Sequence, residues 1–158
     1  MKKLMEKIRS NGRCEVYPPT GMPVVDDKYR IPDDLREFYE ICGGVSFYND
    51  SNYSIRIVES DKFIPSNIDI LGERYLEDIS SDWFIICKAG PEQAISIDLN
   101  EKRLGRCYDS FHEVHAVAGS CKIVSLCFMD LVKNIYYSNG DYWFWLNENF
   151  SDLGDAYD

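Results

Sequence analysis

The run Ile31-Pro32-Asp33-Asp34-Leu35-Arg36-Glu37-Phe38-Tyr39-Glu40-Ile41-Cys42-Gly43-Gly44 constrains this chain most, because it carries its own start, stripe and stop. Pro32 supplies a fixed φ at a first helical position, where a missing N–H costs nothing. Asp33 and Asp34 follow in the first turn, at the positive end of the helix dipole. Ile31, Leu35, Phe38, Tyr39 and Cys42 recur at helical spacing and make one side apolar. Gly43 and Gly44 can enter left-handed geometry and end the helix. The run predicts an amphipathic helix whose apolar side needs a second layer to cover it.

Other elements fall into place around it. Leu4, Met5 and Ile8 predict a short first helix ending at Asn11-Gly12. Pro18, Pro19, Gly21 and Pro23 forbid regular structure and make a loop. Ser46 to Tyr48 reads as a short strand. Tyr53 to Val58 alternates, as a strand with one wet face does. Pro65 to Glu77 fits neither period. Trp83-Phe84-Ile85-Ile86-Cys87 is an unbroken apolar run bounded by turn residues. It fits a central strand covered on both faces, although period alone does not separate it from a helical segment. Ala94 to Leu99 alternates again, with Ile95, Ile97 and Leu99 on one side and Ala94, Ser96 and Asp98 on the other. Together with the preceding run it predicts an antiparallel hairpin, to which Arg106 to Tyr108 adds a third strand. Ser125 is placed to cap a last helix with Phe128, Val132, Ile135 and Tyr136 on its buried stripe, ended by Asn139-Gly140. Tyr142 to Leu146 is either a final strand or a buried segment. Helices flanking a run of antiparallel strands define an α+β class.

At 158 residues, with 45% apolar and 14% aromatic side chains, the chain is expected to form one globular domain over 1–158. Its net charge of −10 is unevenly spread. Residues 1–30 hold seven basic and four acidic residues, net +3, and residues 31–158 hold ten basic and 23 acidic ones, net −13. A body this acidic repels phosphate backbones, so no nucleic-acid partner is expected. It suits a basic protein partner, and equally it suits plain solubility. Met1 to Arg9 is charged and amphipathic, without the apolar core of a signal peptide, and no apolar run has membrane-spanning length. The six cysteines are therefore expected to be reduced, in a cytoplasmic protein.

Candidate chemistry is sparse. His112-Glu113-Val114-His115 lacks the four-residue His spacing of a zinc-protease helix, since Ala116 stands where the second His belongs. Cys107 and Cys121 could join the two histidines only without the usual paired-ligand spacing, so no metal or other cofactor is expected. Ser120 and Cys121 lie near the histidines but lack a nucleophile turn. Gly43-Gly44 ends a helix and begins none, so it cradles no phosphate. The adjacent carboxylate pairs point apart and make no acid–base couple. What remains is surface. Acids interleaved with tyrosine suit a basic protein partner, and the candidate contact residues are Asp82, Asp98, Tyr108, Asp109, His112, Glu113, Asp152 and Asp155. The bland alternative is that the acids solvate a sheet and the tyrosines fill a core.

The whole chain resembles the SUKH superfamily, whose founding members include a yeast cell-wall synthesis regulator. The matching pieces run in order: Ile31 to Tyr39 with Gly43-Gly44, Trp83 to Ile86, Ala94 to Leu99, Leu104 to Phe111, and Ser125 to Val132 with Tyr142-Trp143. Cys42 stands where an indole would precede the paired glycine. The resemblance implies a mostly antiparallel sheet with packed helices and no shared catalytic residues. It further implies an immunity protein that neutralises a polymorphic toxin, often a nuclease, by direct binding. A regulatory scaffold without a toxin is the second expectation, and an enzyme using Cys107, His112 or His115 the third.

Overall fold

A computed structural model describes all residues from Met1 to Asp158. Seven strands form one antiparallel sheet whose spatial order follows the chain: β1 (Cys14–Val16), β2 (Val45–Phe47), β3 (Ile55–Ile57), β4 (Trp83–Ala89), β5 (Gln93–Asp98), β6 (Cys107–Asp109) and β7 (Ile123–Ser125). Four α-helices accompany it: α1 (Lys2–Ser10), α2 (Asp33–Ile41), α3 (Ser66–Leu71) and α4 (Phe128–Tyr137). This is the expected α+β class. No helix is long and apolar enough to cross a membrane.

The expected central helix forms one residue later than the proline suggests. Pro32 is the cap, at φ −53° and ψ 145°, and Asp33 opens α2. Leu35, Phe38 and Tyr39 are buried, and Phe38 meets Phe128 of α4 edge-on at 5.1 Å. Only one of the two glycines works as expected. Gly44 has φ +132°. Gly43 has no positive φ and is needed for close approach: a Cβ there would run into the carbonyl oxygen of Pro18. The loop strand at Tyr17 then bonds to both, with Gly43 N donating to Tyr17 O (2.9 Å) and Tyr17 N to Gly44 O (3.0 Å).

The hairpin of β4 and β5 pairs Trp83 with Asp98 and Ala89 with Gln93, with one irregularity between Ile85 and Cys87. Residues paired across an antiparallel ladder share a face. Ile97, opposite Phe84 and Cys107, points to the layer of α1, α2 and α4. Ser96, opposite Ile85 and Tyr108, points the other way. That second face is covered too. Ser66 of α3 accepts a hydrogen bond from Ser96 (2.7 Å), and a smaller apolar cluster there unites Trp83, Tyr108, Cys121, Ile123 and Ala156. All six residues of β5 are therefore buried.

Three expectations need correction. Ser125 lies in β7 and caps nothing; its hydroxyl oxygen is buried without a partner. The N-terminus of α4 is served instead by Asp34, whose Oδ2 accepts from Met129 N at 2.8 Å. Tyr142 to Leu146 is neither a strand nor a buried segment: it forms a 3₁₀ turn over Phe144–Leu146 with Trp145 inside and Tyr142 and Leu146 exposed. Strands β1 and β7, three residues each, lie where no strand was expected.

Candidate partner-binding surface

The acids that look like surface in the sequence divide into two sets. Asp98 and Tyr108 are 0% exposed and Asp109 is 6% exposed, so these three cannot meet a partner as contact groups. They lie on strands covered from both sides, and each carboxylate is held by its own donors. Asp98 Oδ2 accepts from Trp83 Nε1 (3.1 Å), Arg103 Nε (2.8 Å) and Tyr108 OH (2.8 Å), while Oδ1 accepts from Asn100 N (2.8 Å). Burial pushes the Asp98 carboxyl upward despite these donors and the Arg103 charge. Burial, with the nearby Asp98 charge, likewise drives the Tyr108 phenol up. Asp109 accepts from Gln93 Nε2 (3.0 Å), Phe111 N (3.0 Å) and Trp145 Nε1 (2.9 Å). Each of these two acids thus fixes an indole. Asp82 is part-buried and occupied by Tyr29 OH (2.8 Å) and Asn100 Nδ2 (2.9 Å).

His115 is also internal, 3% exposed. Its Nε2 lies 2.7 Å from Asn67 Oδ1 and its Nδ1 lies 2.9 Å from Ser110 Oγ. Asn67 Nδ2 donates to Ser80 Oγ (2.9 Å). The Asn67 amide thus engages Nε2 and the Ser110 hydroxyl engages Nδ1. Ser110 continues through Ser96 to Ser66, so one polar chain ties α3, β5 and the β6–β7 connection together. Burial pushes the His115 pKa down to about 4. Both ring nitrogens are engaged, and Ser110 is fully buried, so this Ser–His contact braces the fold and offers no substrate a nucleophile. Beside it, burial pushes Asp78 up, but hydrogen bonds from Ser80 and Tyr157 outweigh that and leave its carboxyl lowered. The thiols offer no activated nucleophile either. Burial raises all six, including Cys107 and Cys121, the latter to about 12.

The second set faces solvent. His112 and Glu113 are exposed on the β6–β7 connection, His112 Nε2 3.8 Å from Glu113 Oε1. Asp152 is exposed and Asp155 part-buried on the C-terminal segment, where the Asp155 backbone pairs antiparallel with that of Lys122 beside β7. Antiparallel alternation brings the β2–β3, β4–β5 and β6–β7 connections to one end of the sheet. The segment after α4 returns to that end. Ser51 Oγ donates to Gly140 O, Tyr53 meets Tyr142 and Trp143 edge-on at 5.3 Å each, and Trp145 reaches Asp109. The opposite end carries a cleft of about 540 Å³ between residues 24–29 and 63–81, walled by Tyr29, Phe63 and Phe84. Val24 (94% exposed) and Leu76 (73% exposed) stand on its rim.

No family model matches the chain, and no solved structure matches it. It is similar to the protein named immunity protein YokJ of Bacillus subtilis (strain 168). The two are 41% identical over 155 residues, which cover 98% of this chain and 94% of YokJ.

Proposed function

The chain belongs to the family of immunity protein YokJ, and from that premise we propose that it binds a cognate polymorphic toxin and neutralises it by covering the toxin's active site. The near-full-length identity carries this reading. The structure supports it by what its polar groups do: the buried carboxylates and the imidazole of His115 are occupied in bracing the fold, and burial raises the thiols. The work is left to the surface, and the chain acts as a binder and not as an enzyme. With net −13 over residues 31–158, the complementary toxin domain is basic, a nuclease being the type that such charge suits best. Exposed His112, Glu113 and Asp152, with part-buried Asp155, are the contact groups among the sequence-selected residues. The chain is read as one SUKH-like domain acting in the cytoplasm.

The test is co-expression with the toxin domain encoded beside its gene. Restored growth and co-purification of the two proteins are expected. Continued killing with both proteins soluble and abundant would overturn the proposal. Glu113→Lys tests the contact assignment separately: it should slow association and flatten its salt dependence.

A further inference from the structure

The end of the sheet that receives the segment after α4 carries a feature that charge alone does not explain. Residues 138–150 contain no regular structure beyond the 3₁₀ turn over Phe144–Leu146, yet they are fastened from below at several points. Trp145 stacks on Trp143 at 5.4 Å and donates to buried Asp109. Ser51 holds Gly140, and Tyr48 OH donates to Tyr136 O just before it. A side chain on Gly140 would strike Tyr48 at 2.9 Å, so the segment sits directly on the sheet end. This fastening holds apolar groups out in water. Tyr142 is 47% exposed, Leu146 41% and Tyr53 36%, and the Tyr53 ring is braced edge-on by Tyr142 and Trp143. Rigid aromatic rings lose little entropy on docking and serve as interface anchors.

The charge of the segment that carries Tyr142 and Leu146 has one sign. From Asn134 to Asp158 there are five acidic residues and no basic one. Asp141 and Glu148 are exposed within the segment, and the nearby Arg13 is consumed by Asp50 and by Asn139. An anionic lipid headgroup or a nucleic acid would be repelled there. A second copy of this chain would bring the same negative charge. The surface fits a cationic protein with an apolar pocket.

We propose that Tyr53, Tyr142 and Leu146 form the anchor by which this protein seats on its toxin, with Asp141 and Glu148 as the flanking acids that steer a basic surface onto it. This deepens the toxin-binding reading and rests on it. The experiment measures association and dissociation rates of the full chain with the purified toxin domain encoded beside its gene. Tyr53→Ala, Tyr142→Ala and Leu146→Ala are tested singly, alongside the double reversal Asp141→Lys/Glu148→Lys. Val24→Ser and Leu76→Ser, at the opposite end of the sheet, serve as controls. Thermal melting of every variant confirms folding. At least one aromatic truncation should raise Kd about 30-fold or more, the scale of an interface anchor, mainly through faster dissociation. The double reversal should slow association about tenfold or more at low salt. Wild-type binding that none of the five substitutions weakens would overturn this surface while leaving toxin binding intact. Weakening confined to the Val24 and Leu76 variants would likewise overturn it and move the interface to the cleft. No wild-type binding at all would overturn both the surface and the function beneath it.

Discussion

Acidification should weaken this fold through one imidazole. In the unfolded chain His115 is solvated and titrates near about 6.5. In the folded protein it lies 3% exposed between Asn67 and Ser110, with its pKa pushed down to about 4 by burial. Between those two values the unfolded chain binds a proton that the folded chain refuses. Stability is therefore lost as pH falls from about 6.5 towards about 4, and the loss levels off below that. Each unit of difference corresponds to about 1.4 kcal/mol, so the full loss is about 3 kcal/mol, of which about 2 kcal/mol is gone by about pH 5. Urea unfolding of wild type and of His115→Asn across this range reads the effect. The substitution lowers stability at neutral pH by breaking the polar chain, but it removes the titrating group. The carboxylates are common to both proteins, and those other than Asp78, which faces the ring, cancel in the difference. Wild type should lose about 2 kcal/mol more than the variant between about pH 7.5 and about pH 5. Parallel pH profiles would refute the placement of a neutral, doubly engaged imidazole in the interior.

Other substitutions probe the remaining joints. Asp98→Asn strips the charge that faces Arg103 and turns an amide towards the indole and phenol donors of Trp83 and Tyr108; a loss of about 3 kcal/mol in urea unfolding is expected, the scale of breaking a buried ion pair. Asp34→Ala removes the acceptor that serves Met129 N, and α4 should lose about 1 kcal/mol of support, read as a lower melting temperature with unchanged secondary structure. Gly43→Ala places a methyl group against the carbonyl of Pro18, so the Tyr17–Gly44 bond should open, seen as faster hydrogen exchange at the Tyr17 and Gly43 amides.

Much of the fold was legible because its signals are local. Helix α2 carries its own acids, stripe and glycines, and the β4–β5 hairpin is two strand-like runs around a Gly-Pro turn. Strands β1 and β7 have no such signal. Three residues each, they exist because β2 and β6 offer them an edge to pair with. The N-terminal cap of α4 comes from Asp34, 95 residues earlier in the chain, so no spacing rule finds it. The site was misjudged for the same reason. Ser96, Asp98 and Tyr108 read as the wet side of a sheet, and they would be wet if α3 and Ala156-Tyr157 did not fold over them. One local signal for the buried acids did exist. Asp98 bonds to the amide of Asn100 and Asp109 to that of Phe111, each two residues on, the Asx turn by which a strand ends. An aspartate closing a buried strand in that way is a structural brace. Its indole partners, by contrast, are supplied only by the fold. The exposed aromatic ridge was half visible, since Tyr53 and Tyr142 stand out as tyrosines among acids, but their contact across the sheet end is tertiary.

Neutralisation by occupancy, with no bond made or broken by this chain, is tested most directly by titrating it into a fixed, known amount of the toxin domain while toxin activity is followed. Activity should fall in proportion to the protein added and reach zero at about one equivalent, as tight binding requires. Complete loss of activity at about a hundredth of an equivalent, a turnover that binding cannot produce, would contradict it.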